Sequence, residues 1–394
     1  MDKLILSFYR CVIELFSLSL PILSRFNSKI SVWYNARKDL FPKINQWRKQ
    51  DVRPTILIHC ASLGEYEQGH ALIKAMKQKY PRYAVVVSFF STSGYKNIQS
   101  SLPDFITYLP LDKLKSVRKF LDLLQVKMAI IIKNEFWPNL ITELDDRNIP
   151  TFYISTHLSS YSLYPGFFYN NLFKLVDHYF VQNKDSATFL EKRGVSRITI
   201  SGDLRLLKSM DNVHTPFKYQ KLEDAPLPII VYGSIWKEDW NILKKFPILN
   251  SQYLHVLAPH SLDPPTIEFF RRETHDYKHI ILIEKMGILK YLYRYASLAY
   301  IGGAFGDGLH NLLEPAAYNI PVIFGPRHKK FPEAQEFLDL GSAITINDYK
   351  SFQEGVTHIF RKQQEIKECL DRYFADKKPD LAIILKKIEK TLHE

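Results

Sequence analysis

The sequence predicts an α/β protein: two successive doubly wound, Rossmann-like units facing an interdomain cleft, preceded by a membrane-associated N-terminal helix. Three observations carry that expectation. After residue 50, short apolar β-rich runs alternate with helical stretches, the signature of a parallel sheet covered on both faces. The alternation breaks at a polar, Pro-containing stretch and then restarts. Ahead of it all, residues 4–23 form a long apolar run interrupted by Arg10, Glu14 and Pro21.

Taken in order, the segment 1–50 comes first. Its apolar run lacks the clean core and small-residue cleavage site of a signal peptide. A charge pair in mid-segment is costly in hydrocarbon. Arg25, Lys29, Arg37 and Lys38 follow, with Trp33 and Tyr34 among them, an order that suits contact with an anionic membrane face. A soluble amphipathic helix packed on the first domain is the alternative. The first unit, 51–207, is expected to carry strands at 55–59, 84–89, 128–132, 151–154, 179–181 and 198–201, with helices such as 66–79 and 112–124 between them. Residues 208–228 read as a linker. The second unit, 229–394, has strands expected at 229–233, 253–258, 279–283, 298–301, 322–324 and 343–346, then helices to the end.

The 394-residue length suits two domains. A formal charge of +12 points to an anionic partner, and the absence of a dense Lys/Arg run with interleaved aromatics argues against nucleic acid. Cys11, Cys60 and Cys369 are widely separated, which fits a reduced, cytoplasmic setting. There is no Asp-x-Asp, His-Glu-x-x-His or Cys-x-x-Cys for a metal, no Walker-type lysine loop and no Gly-x-Ser-x-Gly elbow.

Ligands of doubly wound sheets sit beyond the carboxyl ends of strands. Five such places carry chemistry. Tyr300-Ile-Gly302-Gly303 runs through Gly306 and Gly308 to His310-Asn311-Leu-Leu-Glu314-Pro315. The glycines permit close backbone approach, and a helix starting near Leu309 would present free amides to an anion, with His310, Asn311 and Glu314 in its first turns. An ordinary Gly-rich turn is the alternative. His59-Cys-Ala-Ser62-Leu-Gly64-Glu65 leaves the first strand of its unit; Glu65 is either a general base or a first-turn acid complementing the helix dipole. Lys133-Asn-Glu135-Phe-Trp-Pro138 follows another strand, with Glu135 either an acceptor contact or a structural carboxylate near Gly64. Gly233-Ser234-Ile-Trp236 offers a hydroxyl for a phosphate and an indole for a base or sugar, unless Ser234 is an N-cap with Glu238 as its partner. Arg205, in Gly202-Asp-Leu-Arg205, meets either a phosphate or a surface carboxylate.

In this order the motifs resemble the 3-deoxy-D-manno-oct-2-ulosonic acid (Kdo) transferases of lipopolysaccharide synthesis, membrane-associated GT-B glycosyltransferases. The resemblance rests on Ala61-Ser-Leu-Gly-Glu65, Glu135-Phe-Trp-Pro-Asn139, Gly202-Asp-Leu-Arg205, Gly233-Ser234, Gly302-Gly303 with His310-Asn-Leu-Leu-Glu-Pro315, and Pro321-Val-Ile-Phe-Gly-Pro326. It implies transfer of Kdo from CMP-Kdo to a phosphorylated glycolipid, the lipid A precursor lipid IVA, with inversion and without a metal or other cofactor. It places the protein at the cytoplasmic face of the bacterial inner membrane, an anionic surface. Glu65 is then the catalytic base, supported on the acceptor side by Ser62, Gly64 and Glu135. The donor falls to Arg205, Ser234, Trp236, His260, Gly302, Gly303, His310, Asn311 and Glu314. Lys133, His157, His260 and Leu309 depart from the family's usual residues. The other readings are a GT-B transferase or epimerase using a UDP-sugar, and a non-catalytic membrane-bound relative.

Overall fold

Seven parallel strands form the first sheet: β1 (Thr55–Cys60), β2 (Ala84–Phe89), β3 (Phe105–Tyr108), β4 (Val126–Ile132), β5 (Thr151–Thr156), β6 (His178–Val181) and β7 (Ile198–Ile200), in the spatial order 3-2-1-4-5-6-7. Six more, also parallel, form the second: β8 (Ile229–Ile235), β9 (Leu254–Pro259), β10 (Ile280–Leu282), β11 (Leu298–Ile301), β12 (Val322–Phe324) and β13 (Ala343–Thr345), in the order 10-9-8-11-12-13. This computed structural model describes residues 3–98, 101–158, 164, 166–306 and 308–393. Every residue of β1, β2, β5, β11 and β12 is buried, which is why these strands read as mainly apolar runs. The short β3 is half-buried at its start and sits at the sheet edge, so it carries no such run and escapes the sequence reading.

Each sheet reverses its winding once. In the first, the switch lies between β1 and β4; in the second, between β8 and β11. At a switch point the connections on either side leave in opposite directions and open a crevice beyond the strand ends. The loops after β1, β4, β8 and β11, at these switch points, carry four of the sequence motifs. Among the described residues, three non-glycine residues with positive φ mark these ends: Lys133 (71°) after β4, Ser155 (58°) in β5 and Ser234 (51°) in β8. Left-handed backbone is unfavourable for such residues, so packing must hold it in place.

The chain divides into one unit of Met1–Lys208 with Pro379–Glu394 and a second of Ser209–Lys378. Two expectations change here. Residues 208–228, expected as a linker, are partly helical: the helix Arg205–His214 runs into them and a second short helix, Gln220–Glu223, follows. The terminal helix Leu381–His393 belongs to the first unit rather than the second, and its Ile384 and Ile388 are fully buried in that unit's core beside Ile58, Leu72 and Met76.

The segment 1–50 is three helices. The first, Lys3–Phe26, is apolar and long enough to cross a membrane by length and composition. The second, Ser28–Asn35, is capped by Asn27, whose side chain accepts from the amides of Lys29 (2.9 Å) and Ile30 (3.1 Å). The third, Leu40–Arg48, buries Leu40 and Ile44 in the core. Arg37, expected among membrane-facing cations, is instead an internal bolt. Its guanidinium donates to the carbonyls of Leu109 (2.9 Å), Phe90 (2.6 Å) and Trp33 (3.2 Å), and lies 3.8 Å from the Trp33 ring centre.

Candidate active site

In the first unit the chain leaves β1 at Cys60 and enters the helix Leu63–Lys79, with Ser62 as N-cap. Ser62 Oγ accepts from the Glu65 amide at 3.4 Å, and the Glu65 carboxylate turns back to accept from the Ala61 amide. Glu65 is thus the first-turn acid of the structural alternative, and beyond complementing the helix dipole it fills the place of a capping-box acid, with the reciprocal bond shifted one residue upstream. That role does not exhaust it. Burial raises its pKa to about 7, and the nearby Glu135 carboxylate pushes in the same direction, while the Ala61 amide and the Lys133 cation oppose. A carboxylate poised near neutrality is a competent general base. Gly64 is exposed beside it.

Glu135 comes from the loop after β4, where Trp137 caps the helix Pro138–Asp146 and proline takes its first turn. Burial raises the Glu135 pKa too, with Trp137 and Lys133 opposing. The loop is pinned from behind: Tyr153 Oη donates to the Glu135 carbonyl (2.7 Å), Tyr164 Oη to the Asn134 carbonyl (2.8 Å), and the His157 amide to Asn134 Oδ1 (3.1 Å). Ser62, Glu65, Lys133 and Glu135 thus form one cluster at the switch point. His157 is occupied within this support, sharing a 3.4 Å contact between its Nδ1 and Asn183.

Arg205 belongs to this same unit, not to the one carrying the other expected donor residues. Its guanidinium is paired with Asp203 (Nη2 to Oδ2, 2.6 Å), and Asp203 also accepts from the buried Gln68 (2.9 Å), which bonds Ser155 Oγ at 2.7 Å. Of the two roles open for Arg205, the structure displays the carboxylate pairing.

In the second unit the expected residues do converge. Trp236, at the N-cap of the helix Lys237–Leu243, donates its indole N–H to His310 Nε2 at 2.9 Å, and the two rings are 7° from parallel. His260, following β9, stacks on both, with ring centres 4.3 Å from Trp236 and 4.4 Å from His310. An indole N–H only donates, so His310 Nε2 is unprotonated and Nδ1 carries the hydrogen. Burial drives the His310 pKa down to about 4, with His260 adding to it, and burial also lowers that of His260. The stack is neutral at physiological pH.

The glycine loop works differently from its expectation. A Cβ on Gly302 would lie 2.4 Å from the Ser234 carbonyl oxygen, and one on Gly303 (φ 95°) 2.2 Å from the Gly308 carbonyl oxygen. Glycine is required for packing, because the amides are already spent. Gly302 N–H donates to the Gly233 carbonyl (2.9 Å), Gly303 N–H to Asp239 (3.0 Å), and Gly306 and Gly308 N–H to the Gly303 carbonyl (2.9 and 3.1 Å). Nor does a helix begin near Leu309. It spans only Leu313–Ala317, so His310 and Asn311 precede it and Glu314 lies in its first turn. Asn311 Oδ1 accepts from the Leu313 amide at 3.0 Å, and such an Asx turn holds the chain without a helix.

Asp239 is the residue the sequence reading missed. Fully buried, it accepts from the Trp236 amide (2.9 Å), the Gly303 amide (3.0 Å) and Tyr300 Oη (2.7 Å), tying the loop after β11 to the loop after β8. The signal was present as the acid three residues after Trp236; the expected cap pair had been Ser234 with Glu238. Ser234 itself lies inside β8 as its left-handed residue and is no N-cap. Among the described residues no group of three His, Cys, Asp or Glu side chains is placed to hold a metal.

Comparison with known proteins adds an independent line. Residues 35–207 match the 3-deoxy-D-manno-octulosonic-acid transferase (kdotransferase) family. The chain is 27% identical over 353 residues to a 3-deoxy-D-manno-octulosonic acid transferase of Haemophilus influenzae, covering 80% of this chain and 81% of that protein. It is 26% identical over 353 residues to one of Aquifex aeolicus, covering 85% and 93%. Among solved structures, UDP-GlcNAc 2-epimerase of Neisseria meningitidis superposes with a TM-score of 0.56 at 13% identity, covering 80% of this chain and 94% of that one. That likeness is one of fold. The family resemblance read from the motifs is borne out.

Proposed function

We propose that this chain, a relative of the Kdo transferases over most of its length, transfers Kdo from CMP-Kdo to a lipid A precursor, with inversion at the anomeric carbon and no metal in the transfer step. The observation that carries the reading is Glu65: a carboxylate at the switch point of the first sheet, held near neutral pKa by burial and by Glu135. Ionised, it takes the proton from the attacking acceptor hydroxyl. The acceptor oxygen forms its bond to the anomeric carbon from the face opposite CMP as the bond from that carbon to the CMP phosphate oxygen breaks, and the negative charge stays on the departing phosphate.

On the donor side the reading assigns that phosphate to side chains, since the glycine amides of the loop are engaged. His310 Nδ1–H and the Asn311 side-chain amide, held by Trp236 and the Leu313 amide, are fixed donors, and Ser234 Oγ is the third donor of the reading. Preorganised donors of this kind lower barriers because they do not reorganise as charge develops, and losing one costs about 3 kcal/mol in other enzymes. A single phosphate carries less charge than a diphosphate, so neutral donors suffice. Glu314 takes the ribose hydroxyls, Trp236 and His260 flank the base or sugar, and Gly302 and Gly303 let the two loops approach. Arg205 acts through Asp203 rather than on the donor. The acceptor's phosphates suit the basic chain, and the first helix holds the enzyme at the cytoplasmic face of the inner membrane.

The test is incubation of purified protein with labelled CMP-Kdo and lipid IVA, followed by mass spectrometry. A product heavier by one or more Kdo residues supports the reading; no product, with tighter binding of UDP than CMP in thermal shift, moves the chain to a UDP-sugar enzyme.

A further inference from the structure

The first helix has two faces with different business. At 100° per residue, Leu4, Phe8, Val12, Leu15, Ile22 and Phe26 fall on one arc, and all are exposed, Leu4 at 79%, Phe8 at 72% and Phe26 at 84%. The opposite arc is bound to the folded unit. Tyr9 Oη donates to the buried Asp112 (2.9 Å), Arg10 Nε donates to Asn139 Oδ1 (2.8 Å), Glu14 pairs with Lys113 (2.9 Å), and Leu20 is 4% exposed. These contacts run along the middle of the helix rather than at one end.

A helix of 24 residues is about 36 Å long and matches a bilayer core of about 30 Å. Spanning would nevertheless place Arg10 and Glu14 in hydrocarbon and strip them of Asn139 and Lys113. Asp112, in a loop, and Asn139, in the first turn of the helix Pro138–Asp146, belong to the folded unit and cannot follow. The charges that make the run a poor span are the ones that key it to the protein.

From this we infer that the first helix lies in the plane of the membrane, its Leu4-to-Phe26 face in the acyl region of one anionic leaflet and its Tyr9–Glu14 face on the protein, and that it does not cross. The inference rests on the membrane association proposed above and specifies its form. The occupant is lipid because the apolar arc is continued by cations: Arg25, Lys29 and Lys38 are all exposed. That pairing of apolar face and positive flank complements acyl chains beneath anionic headgroups.

The experiment uses the full chain with Cys11→Ser and Cys369→Ser, the buried Cys60 being retained, and adds Ser7→Cys or Ser28→Cys, both at exposed positions. Sealed inverted inner-membrane vesicles from producing cells are treated with a membrane-impermeant maleimide. Labelling of both positions without detergent is the expected result. Protection of either position until detergent is added overturns the in-plane seat while leaving membrane association intact. Absence of the protein from the vesicles, or its recovery there only as a soluble dimer through this face, overturns both. As a second readout, Leu15→Glu should lower partition into phosphatidylethanolamine–phosphatidylglycerol vesicles about tenfold or more with CMP binding unchanged; unchanged partition also overturns the proposal.

Discussion

The indole N–H of Trp236 reaches His310 Nε2 across 2.9 Å, and this one bond decides which face of the imidazole carries a hydrogen. Removing the donor with Trp236→Phe keeps an aromatic ring against His260 but frees Nε2 to take up a proton or exchange tautomers. We expect CMP affinity to fall about five- to tenfold, in line with a lost hydrogen bond of about 1 kcal/mol. Nitrogen NMR shifts of His310 should show loss of the single tautomer. Unchanged affinity together with an unchanged tautomer would remove Trp236 from this role.

The same histidine makes stability depend on pH. Its folded pKa of about 4 lies below the ordinary 6.5, so between those values the unfolded chain binds a proton that the folded chain refuses. Stability from this group is complete above about pH 6.5 and declines as pH falls toward 4. His310→Gln should flatten that part of the curve in urea titrations taken across the window.

Glu65 shows the opposite sign. Its folded pKa of about 7 lies above the ordinary 4.5, so the ionised carboxylate costs stability, and the cost appears as pH rises from 4.5 through 7. Glu65→Gln should be inactive yet more stable than the parent at pH 8, by about 1–2 kcal/mol after allowance for solvent screening, with the difference vanishing near pH 4. The parent's kcat/KM should fall below about pH 7. Glu135→Gln should move that acidic limb to lower pH and Lys133→Met to higher pH, because the first removes a like charge and the second an opposite one.

Gly302→Ala pushes a methyl carbon against backbone atoms, the Ser234 oxygen at 2.4 Å and the Ile235 Cα at 2.9 Å, neither of which can swing aside. Thermal unfolding should show a loss of about 2–3 kcal/mol, with nucleotide binding abolished. Gly306→Ala, whose new carbon meets only an oxygen at 3.7 Å, is the control and should cost little.

Arg37→Ala leaves the carbonyls of Leu109, Phe90 and Trp33 without their donor and removes the cation from the Trp33 ring. About 3 kcal/mol of stability should be lost in urea unfolding. Arg37→Lys should recover part of it, because an ammonium cannot fork to three separated carbonyls.

The strands that hold the site were legible because a parallel strand buried on both faces is mainly apolar, as Ile56–Ile58 and Ala129–Ile132 are. The loops after them were legible in place but not in shape. Nothing near His310 announces that Trp236 and Asp239, more than seventy residues earlier, supply the bonds that let the chain stay irregular until Leu313. Residue type pointed to free glycine amides; Gly233 and Asp239 take those of Gly302 and Gly303, and the loop's own turn takes those of Gly306 and Gly308. The terminal helix was misassigned for the same reason, since Ile384 and Ile388 have the periodicity of any amphipathic helix and only the fold says which core receives them. Glu65 was readable as a motif, but its poise near neutrality comes from burial within the fold, with Glu135, seventy positions away, adding to it.

The clasp between Tyr9, Arg10, Asp112 and Asn139 reaches further than adhesion. Asp112 also accepts from the Asn139 and Leu140 amides, at 2.8 and 2.9 Å, and so fastens the first turn of the helix that begins immediately after the Glu135 loop. An enzyme shorn of its first helix would therefore be not merely adrift from its substrate but slack around the carboxylate that sets Glu65.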